Sequence, residues 1–207
     1  MTVKSLTRSS LVNNRWYENM LVGNAAYSPP AYELLETIIV PPSTSASITF
    51  SNLANYSDYK HLQVRWVAKS VRGGQNSDDF LWQANGDTTQ ANYRAHVIWG
   101  NGSTVQTGDA GAAGIYFGYI SGSMPAGNYS VQFQAGITDI LEPFNTTKST
   151  TVITTRGSHA TWFDGAGDSG ISSGVYLPTN SLTSFTMKPR LAGMAGGSRF
   201  SLYGIRG

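Results

Sequence analysis

Two segments of the chain alternate apolar with polar residues, and this alternation predicts β-strands at His61–Val71 and Tyr129–Ile137. The apolar positions are Leu62, Val64, Trp66 and Ala68 in the first segment, and Tyr129, Val131, Phe133, Ala135 and Ile137 in the second. A period of two residues with one polar face is typical of an antiparallel sheet that packs its other face on a core. We therefore expect both apolar sets to point into the protein.

Short apolar runs elsewhere are separated by Gly, Asn, Asp and Pro, which favour turns. They predict strands at Tyr32–Val40, Ser45–Phe50, Phe80–Ala84, Tyr93–Trp99, Ile115–Ile120, Ser149–Thr154, Gly174–Leu177, Ser184–Lys188 and Arg199–Ile205. Helical periodicity is nearly absent, and Pro143 would end the nearest candidate, Ile137–Phe144. Gly100–Gly102 predicts a tight turn because Gly and Asn tolerate positive φ. The fold class expected is all-β, an antiparallel β-sandwich or jelly roll.

The beginning of the chain differs from the rest. Residues 1–27 lack a clean period of either kind, and Ser28-Pro29-Pro30 separates them from the β-rich body. We predict an extended N-terminal attachment arm at 1–27 and the sandwich domain at 28–207. An arm cannot form a core alone, so its apolar side chains would pack on another protein. The candidate attachment residues are Leu11, Trp16, Tyr17 and Leu21. A frayed terminus is the alternative.

Composition and charge narrow the functional classes. Only 13% of the residues are charged, and the net charge of +2 comes without a cluster of Lys and Arg. This is too little to neutralise a phosphate backbone, so we expect no nucleic-acid partner. The absence of cysteine excludes disulfides, thiolate metal sites and a cysteine nucleophile. No stretch approaches the roughly 18 apolar residues of a membrane helix, and the first residues lack the apolar run of a secretory signal. We expect no membrane insertion.

The segment Trp162–Gly170 is the strongest local candidate for a binding site. It combines large aromatic residues with Asp164 and Asp168 around flexible glycines, and loops at the end of a sandwich commonly carry sites. Trp162, Asp164 and Asp168 are therefore candidate glycan-binding residues, and a cation is the other ligand that such a loop suits. A solvated turn anchored by its aromatic side chains is the structural alternative.

Other chemistry is weakly supported by the sequence. His61, His96 and His159 show no metal-ligand spacing, and no Gly-x-Ser-x-Gly elbow indicates a serine hydrolase. We expect no metal, no cofactor and no catalytic residue. The carboxylates of Asp164 and Asp168 leave glycan cleavage as a minor alternative, because glycosidases need such a pair.

Six segments of the chain resemble structural proteins of bacteriophage particles. They are Val3–Leu11, Leu21–Tyr27, Tyr32–Thr37, Tyr59–Arg65, Ile137–Leu141 and Gly197–Gly207, and together they span nearly the whole chain. The group includes tail-fibre, baseplate and head-decoration proteins, among them those of phages that infect cyanobacteria and marine bacteria. Its motifs are structural, so the resemblance assigns no catalytic residue.

The resemblance implies a non-enzymatic virion protein, assembled in the cytoplasm of the host bacterium. Proteins similar to this group are often trimers, which would bury edge strands and give several copies of a weak site. The first hypothesis is a homotrimeric tail-fibre or baseplate component. Its arm would attach to other virion proteins, and its sandwich would bind a host-surface glycan. The second hypothesis is a capsid decoration, or cement, protein that stabilises the head. The third is a tail-borne glycan depolymerase.

Overall fold

A computed structural model describes residues 31–75, 77–109, 112–122, 132–162 and 166–207, with side chains except at 109, 158–162 and 166–168. The described residues form twelve β-strands and two short 3-10 turns, Leu53–Tyr56 and Gln90–Asn92. The strands are β1 (Tyr32–Ile39), β2 (Ile48–Phe50), β3 (His61–Ala68), β4 (Ser77–Ala84), β5 (Tyr93–Gly100), β6 (Val105–Asp109), β7 (Ile115–Ser121), β8 (Gln134–Leu141), β9 (Thr150–Trp162), β10 (Ala166–Tyr176), β11 (Phe185–Pro189) and β12 (Arg199–Ile205).

The strands pair into two antiparallel sheets. The large sheet has eight strands in the order β1-β12-β3-β8-β9-β10-β5-β6, and the small sheet has four in the order β2-β11-β4-β7. The expected antiparallel β-sandwich is therefore confirmed. The proposed arm, including Leu11, Trp16, Tyr17 and Leu21, lies outside the described residues. No helix in the described part of the chain is long and apolar enough to cross a lipid bilayer.

The ring of Phe80 on β4 lies at the centre of the core and joins the two sheets. Its centroid is 5.1 Å from that of Trp66 and 6.5 Å from that of Phe200, both on the large sheet. On the small sheet it is 6.0 Å from the ring of Phe117. All four side chains are buried. Because truncating a buried Phe to Ala typically costs about 3 to 5 kcal/mol, this cluster contributes strongly to the packing between the sheets.

Hydrogen bonds between the sheets accompany this aromatic packing. Arg156 of β9 is buried, and its Nε donates to the backbone carbonyl of Phe117 on β7 at 2.8 Å. The hydroxyl of Ser172 on β10 donates to the carbonyl of Tyr116 at 2.6 Å. Both bonds join β7, an edge strand of the small sheet, to strands of the large sheet.

Most of the expected strands are present, although several differ in their bounds. Strand β6 was not expected, and β9 and β10 extend beyond Ser149–Thr154 and Gly174–Leu177. The helix candidate is instead the second half of β8 followed by a turn, in which Glu142 has a φ of 47°. The expected tight turn does join β5 to β6: Asn101 N–H donates to the Thr104 carbonyl at 3.2 Å, and Gly102 has a φ of 88°.

The expected inward orientation is wrong for Ala135 and Ile137, whereas Tyr129 and Val131 of the same segment lie outside the described residues. Ala135 and Ile137 point outward and are exposed, whereas Gln134 and Thr138 of β8 are buried. Gly136 also faces inward, where a Cβ would overlap the indole ring of Trp66. The core therefore needs glycine opposite this tryptophan, and the indole Nε1 donates to the hydroxyl of Thr138 at 3.1 Å. The need for Gly136 beside the indole ring and the hydrogen bond to Thr138 together favour this orientation of β8 more than burial of Ile137 would favour the opposite one.

We predict that Gly136→Ala destabilises the protein by about 1 to 3 kcal/mol, because the added methyl group overpacks the ring of Trp66. Chemical denaturation of the variant measures this loss. Ala135→Ser on the exposed side of the same strand is the matched control and should change the free energy of unfolding by less than about 0.5 kcal/mol. The reverse pattern would mean that β8 presents its other face to the core.

A partly exposed hydrogen-bond network around Asp87 fixes the connection between β4 and β5. Its carboxylate accepts hydrogen bonds from Asn92 Nδ2 at 2.6 Å, from Thr89 N–H at 2.7 Å and from the Tyr176 hydroxyl at 3.2 Å. The side chain of Asn92 and the backbone of Thr89 lower the pKa of Asp87 from 3.8 to about 2. The hydroxyl of Tyr93 donates to the Asp87 carbonyl at 2.7 Å.

The lowered pKa of Asp87 predicts a stability that depends on acidic pH. The folded protein holds the ionised form, so the stabilisation is fully present above 3.8 and is lost as pH falls toward about 2. Asp87→Asn replaces one acceptor oxygen with a donor and should lower the free energy of unfolding at pH 7. Denaturant titrations from pH 7 to pH 2 should show this difference shrinking with acidity. A difference independent of pH would contradict the assignment.

Candidate functional site

The outer face of the large sheet carries the residues that sandwich packing does not use. Strand register arranges them in rows that cross the sheet. One row from β1 to β6 is Ile39, Arg199, Val67, Ala135, Gly157, Ser169, Gly100 and Val105. The next is Thr37, Ser201, Arg65, Ile137, Thr155, Ile171, Ile98 and Thr107. The third row begins with Leu34, Tyr203, Gln63 and Asp139.

Two tyrosines from opposite ends of the described chain stack on this face. The rings of Tyr32 on β1 and Tyr203 on β12 lie 4.7 Å apart between centroids, with an angle of 15° between their planes. The guanidinium carbon of Arg65 lies 5.5 Å from the Tyr32 centroid and 5.7 Å from the Tyr203 centroid. The guanidinium therefore lies beside the stacked pair, within the range of about 6 Å in which a cation attracts an aromatic ring.

Polar bonds extend this tyrosine cluster across β3 to β8. The Tyr32 hydroxyl donates to Gln63 Oε1 at 2.7 Å, and Arg65 Nε donates to the same oxygen at 3.3 Å. Gln63 Nε2 donates to Asp139 Oδ1 at 2.7 Å. Desolvation raises the pKa of Tyr32 and Arg65 opposes that effect, so the phenol remains a neutral donor at physiological pH.

A groove of about 600 Å³ opens beside the tyrosine cluster. It is lined by Arg65, Trp66, Val67, Ala135, Gly136, Ile137, Thr155, Arg156, Gly157, Arg199, Ser201 and Tyr203. The depression follows from the row described above, where Ala135 and Gly157 lie between larger neighbours. The outward orientation of β8 contributes to the groove, because it places Ala135 and Ile137 in its lining.

The lining of the groove combines aromatic, hydroxyl and cationic groups. Ser201 shares a hydrogen bond of 3.0 Å with Thr37, and Thr155 is exposed. Among the described residues that line the groove, none has a carboxylate. This surface offers three kinds of interaction: packing on a tyrosine ring, hydrogen bonding to hydroxyl groups and hydrogen bonding to guanidinium groups.

The residues proposed from the sequence lie elsewhere. Trp162 is the last residue of β9 and pairs with Ala166, and Asp168 pairs with Ser158 inside β10. Their backbones thus belong to a hairpin, whereas Asp164 lies outside the described residues. The structure does not describe the side chains of Trp162 or Asp168, and their role in glycan binding stays a prediction.

The histidines occupy separate positions. His61 Nδ1 accepts a hydrogen bond from the backbone N–H of Glu142 at 3.1 Å. His96 lies on β5 opposite Ser173, and the side chain of His159 is outside the described part. Among the described residues, no three metal-ligating side chains form a group.

Sequence reasoning missed the tyrosine cluster because its members come from three strands that are distant along the chain. The available signal was the alternation within β3 and β12. Once Trp66 and Phe200 point inward, Arg65 and Tyr203 must point outward. Only the pairing of β1 with β12 places Tyr32 beside them.

In sequence comparisons, the chain matches no protein-family model and no curated protein.

Proposed function

We propose that this chain is a non-enzymatic structural protein of a bacteriophage particle and that the groove on its large sheet binds glycans of the bacterial surface. The observation that carries the glycan assignment is the fixed tyrosine pair with Arg65 at the edge of an open groove. An aromatic ring presents an apolar face to the C–H groups of a sugar, while neighbouring polar groups bond its hydroxyls. The virion assignment is supported by the resemblance of six segments to phage structural proteins.

The rigidity of the cluster favours binding. Tyr203 already stacks on Tyr32 and contacts Arg65 before any ligand arrives. Little side-chain entropy is then lost when a sugar ring packs on it, and preorganisation of this kind raises affinity. The groove is open and lies across several strands, which suits a segment of a polymer rather than an enclosed small molecule.

The proposed assembly compensates for a weak single site. Residues 1–27 attach the chain to other virion proteins, and a homotrimer presents three copies of the groove at one tip. Linked sites of this kind can exceed the affinity of one site by about 10²- to 10⁴-fold when geometry lets them bind together. Assembly takes place in the bacterial cytoplasm, and the finished virion carries the groove to the cell surface.

We predict that Tyr203→Ala weakens binding to purified bacterial surface polysaccharide about tenfold, which corresponds to about 1.4 kcal/mol. Tyr203→Phe keeps the aromatic face and should retain most of the affinity. Isothermal titration calorimetry measures both. Val105→Ala, on the exposed edge strand β6, is the control for loss of an exposed apolar group. Trp162→Ala tests whether the hairpin between β9 and β10 binds the polysaccharide instead. A loss with Trp162→Ala but not with Tyr203→Ala would move the site to that hairpin.

A second function, capsid decoration, is favoured by the apolar character of the same face. Exposed large side chains on it include Leu34, Ile39, Val67, Ile98, Val105 and Ile171, and extensive apolar surface commonly marks a protein interface. Here the sheet would pack on neighbouring shell subunits.

Particles assembled without this chain distinguish the two functions. We expect such particles to retain their DNA after osmotic shock and to adsorb poorly to cells, since we assign the groove to glycan binding. Release of DNA with normal adsorption would instead establish the decoration role. Both quantities can be measured on one preparation, by nuclease sensitivity of the DNA and by depletion of particles from a cell suspension.

A further inference from the structure

Two arginines on adjacent strands line the groove. Arg65 of β3 lies opposite Ser201 of β12, and Arg199 lies opposite Val67. They are diagonal neighbours on the same outer face, a relation that separates Cα atoms by about 7 to 8 Å. Both belong to the lining of the groove together with Tyr203.

Among the described residues, no carboxylate forms an ion pair with either arginine, although Asp139 is a diagonal neighbour of Arg65 across β3 and β8. The guanidinium group of Arg199 forms no hydrogen bond or ion pair with any residue that the structure describes. Arg65 bonds the neutral side chain of Gln63 and contacts the two tyrosine rings. Asp139 lies opposite Gln63 on β8, and its carboxylate accepts a hydrogen bond from the side chain of Gln63. Two adjacent cations repel each other, and an anion placed between them removes that cost.

We infer that the glycan bound in this groove carries an anionic group, a carboxylate or a phosphate, that Arg199 holds together with Arg65. The inference rests on the proposed glycan-binding function and deepens it. Guanidinium groups bind carboxylate and phosphate through paired N–H donors. The Arg65 guanidinium is oriented by the tyrosines, whereas that of Arg199 is available to turn toward the ligand. The tyrosine face then packs on the sugar ring that bears, or adjoins, the anion.

Different side chains of the groove determine which glycans it binds. Stacking on Tyr203 accepts many sugars, since most have an apolar face. The arginine pair selects among them for charge, and the exposed hydroxyl of Thr155 bonds an uncharged oxygen nearby. Binding should weaken as ionic strength rises, because the ion pairs form at an exposed surface and are screened by salt.

The test uses the full chain on an array of bacterial polysaccharides, each printed in native, carboxyl-reduced and dephosphorylated forms. We expect binding to native acidic polysaccharides and its loss after one of the two treatments, which identifies the anion. Arg199→Gln should weaken binding to the selected native polysaccharide about tenfold and leave affinity for its neutralised form unchanged. Arg199→Lys keeps the positive charge but lacks the paired N–H donors, so its affinity should lie between those of the native chain and Arg199→Gln.

Arg94→Gln is the matched control, because Arg94 is an arginine of the same sheet face on β5, and its guanidinium donates to the backbone carbonyls of Ala91 and Tyr93. This variant loses the same charge and should bind as the native chain does. A duplex DNA oligonucleotide at the same salt concentration tests for unspecific attraction to anions and should bind far more weakly.

The other outcomes separate the inference from the function on which it rests. Equal binding to native, carboxyl-reduced and dephosphorylated polysaccharides would overturn the inference and leave glycan binding intact. Anion-dependent binding that Arg199→Gln does not weaken, or that Arg94→Gln weakens equally, would also overturn it. Equally tight binding to DNA would do the same. If the native chain binds every polysaccharide on the array no more tightly than the Tyr203→Ala variant does, both the inference and the proposed function are wrong.

Discussion

Packing of the two sheets through Phe80 is the interaction on which the rest of the structure depends. Its contacts with Trp66 and Phe200 bury one face of the large sheet. Because side chains alternate along a strand, burying this face commits every second residue to the outside. Residues on the outer face do not pack in the core, and the tyrosines, the arginines and the groove lie on that face.

Trp66 connects the core directly to the groove. Its indole ring requires Gly136 beneath it and a hydrogen bond to Thr138, and these constraints fix which face of β8 points inward. Ala135 and Ile137 consequently face outward beside Arg65 and Val67. A requirement of core packing thus decides which residues of β8 line the groove, so substitutions under the sheet can alter binding above it.

The sequence predicted the fold class and several strands because period and turn chemistry are local properties. Strand β12 coincides with its predicted range, and the inward positions of β3 are those expected from their alternation. The orientation of β8 could not be predicted, because Ala135 and Ile137 are the more apolar residues and only the position of Trp66 reverses them. The tyrosine cluster needed the pairing of the first strand with the last, which no local pattern contains.

The most direct test of glycan binding on the outer face is a methyl NMR titration with surface polysaccharide from bacteria that the protein recognises. Ile137 and Val67 line the groove, whereas Val105 lies on the far edge strand. We expect saturable shifts of the Ile137 and Val67 methyl signals and an unchanged Val105 signal. Shifts confined to Val105, or absent from Ile137 and Val67 while the polysaccharide binds, would contradict the assignment of this groove.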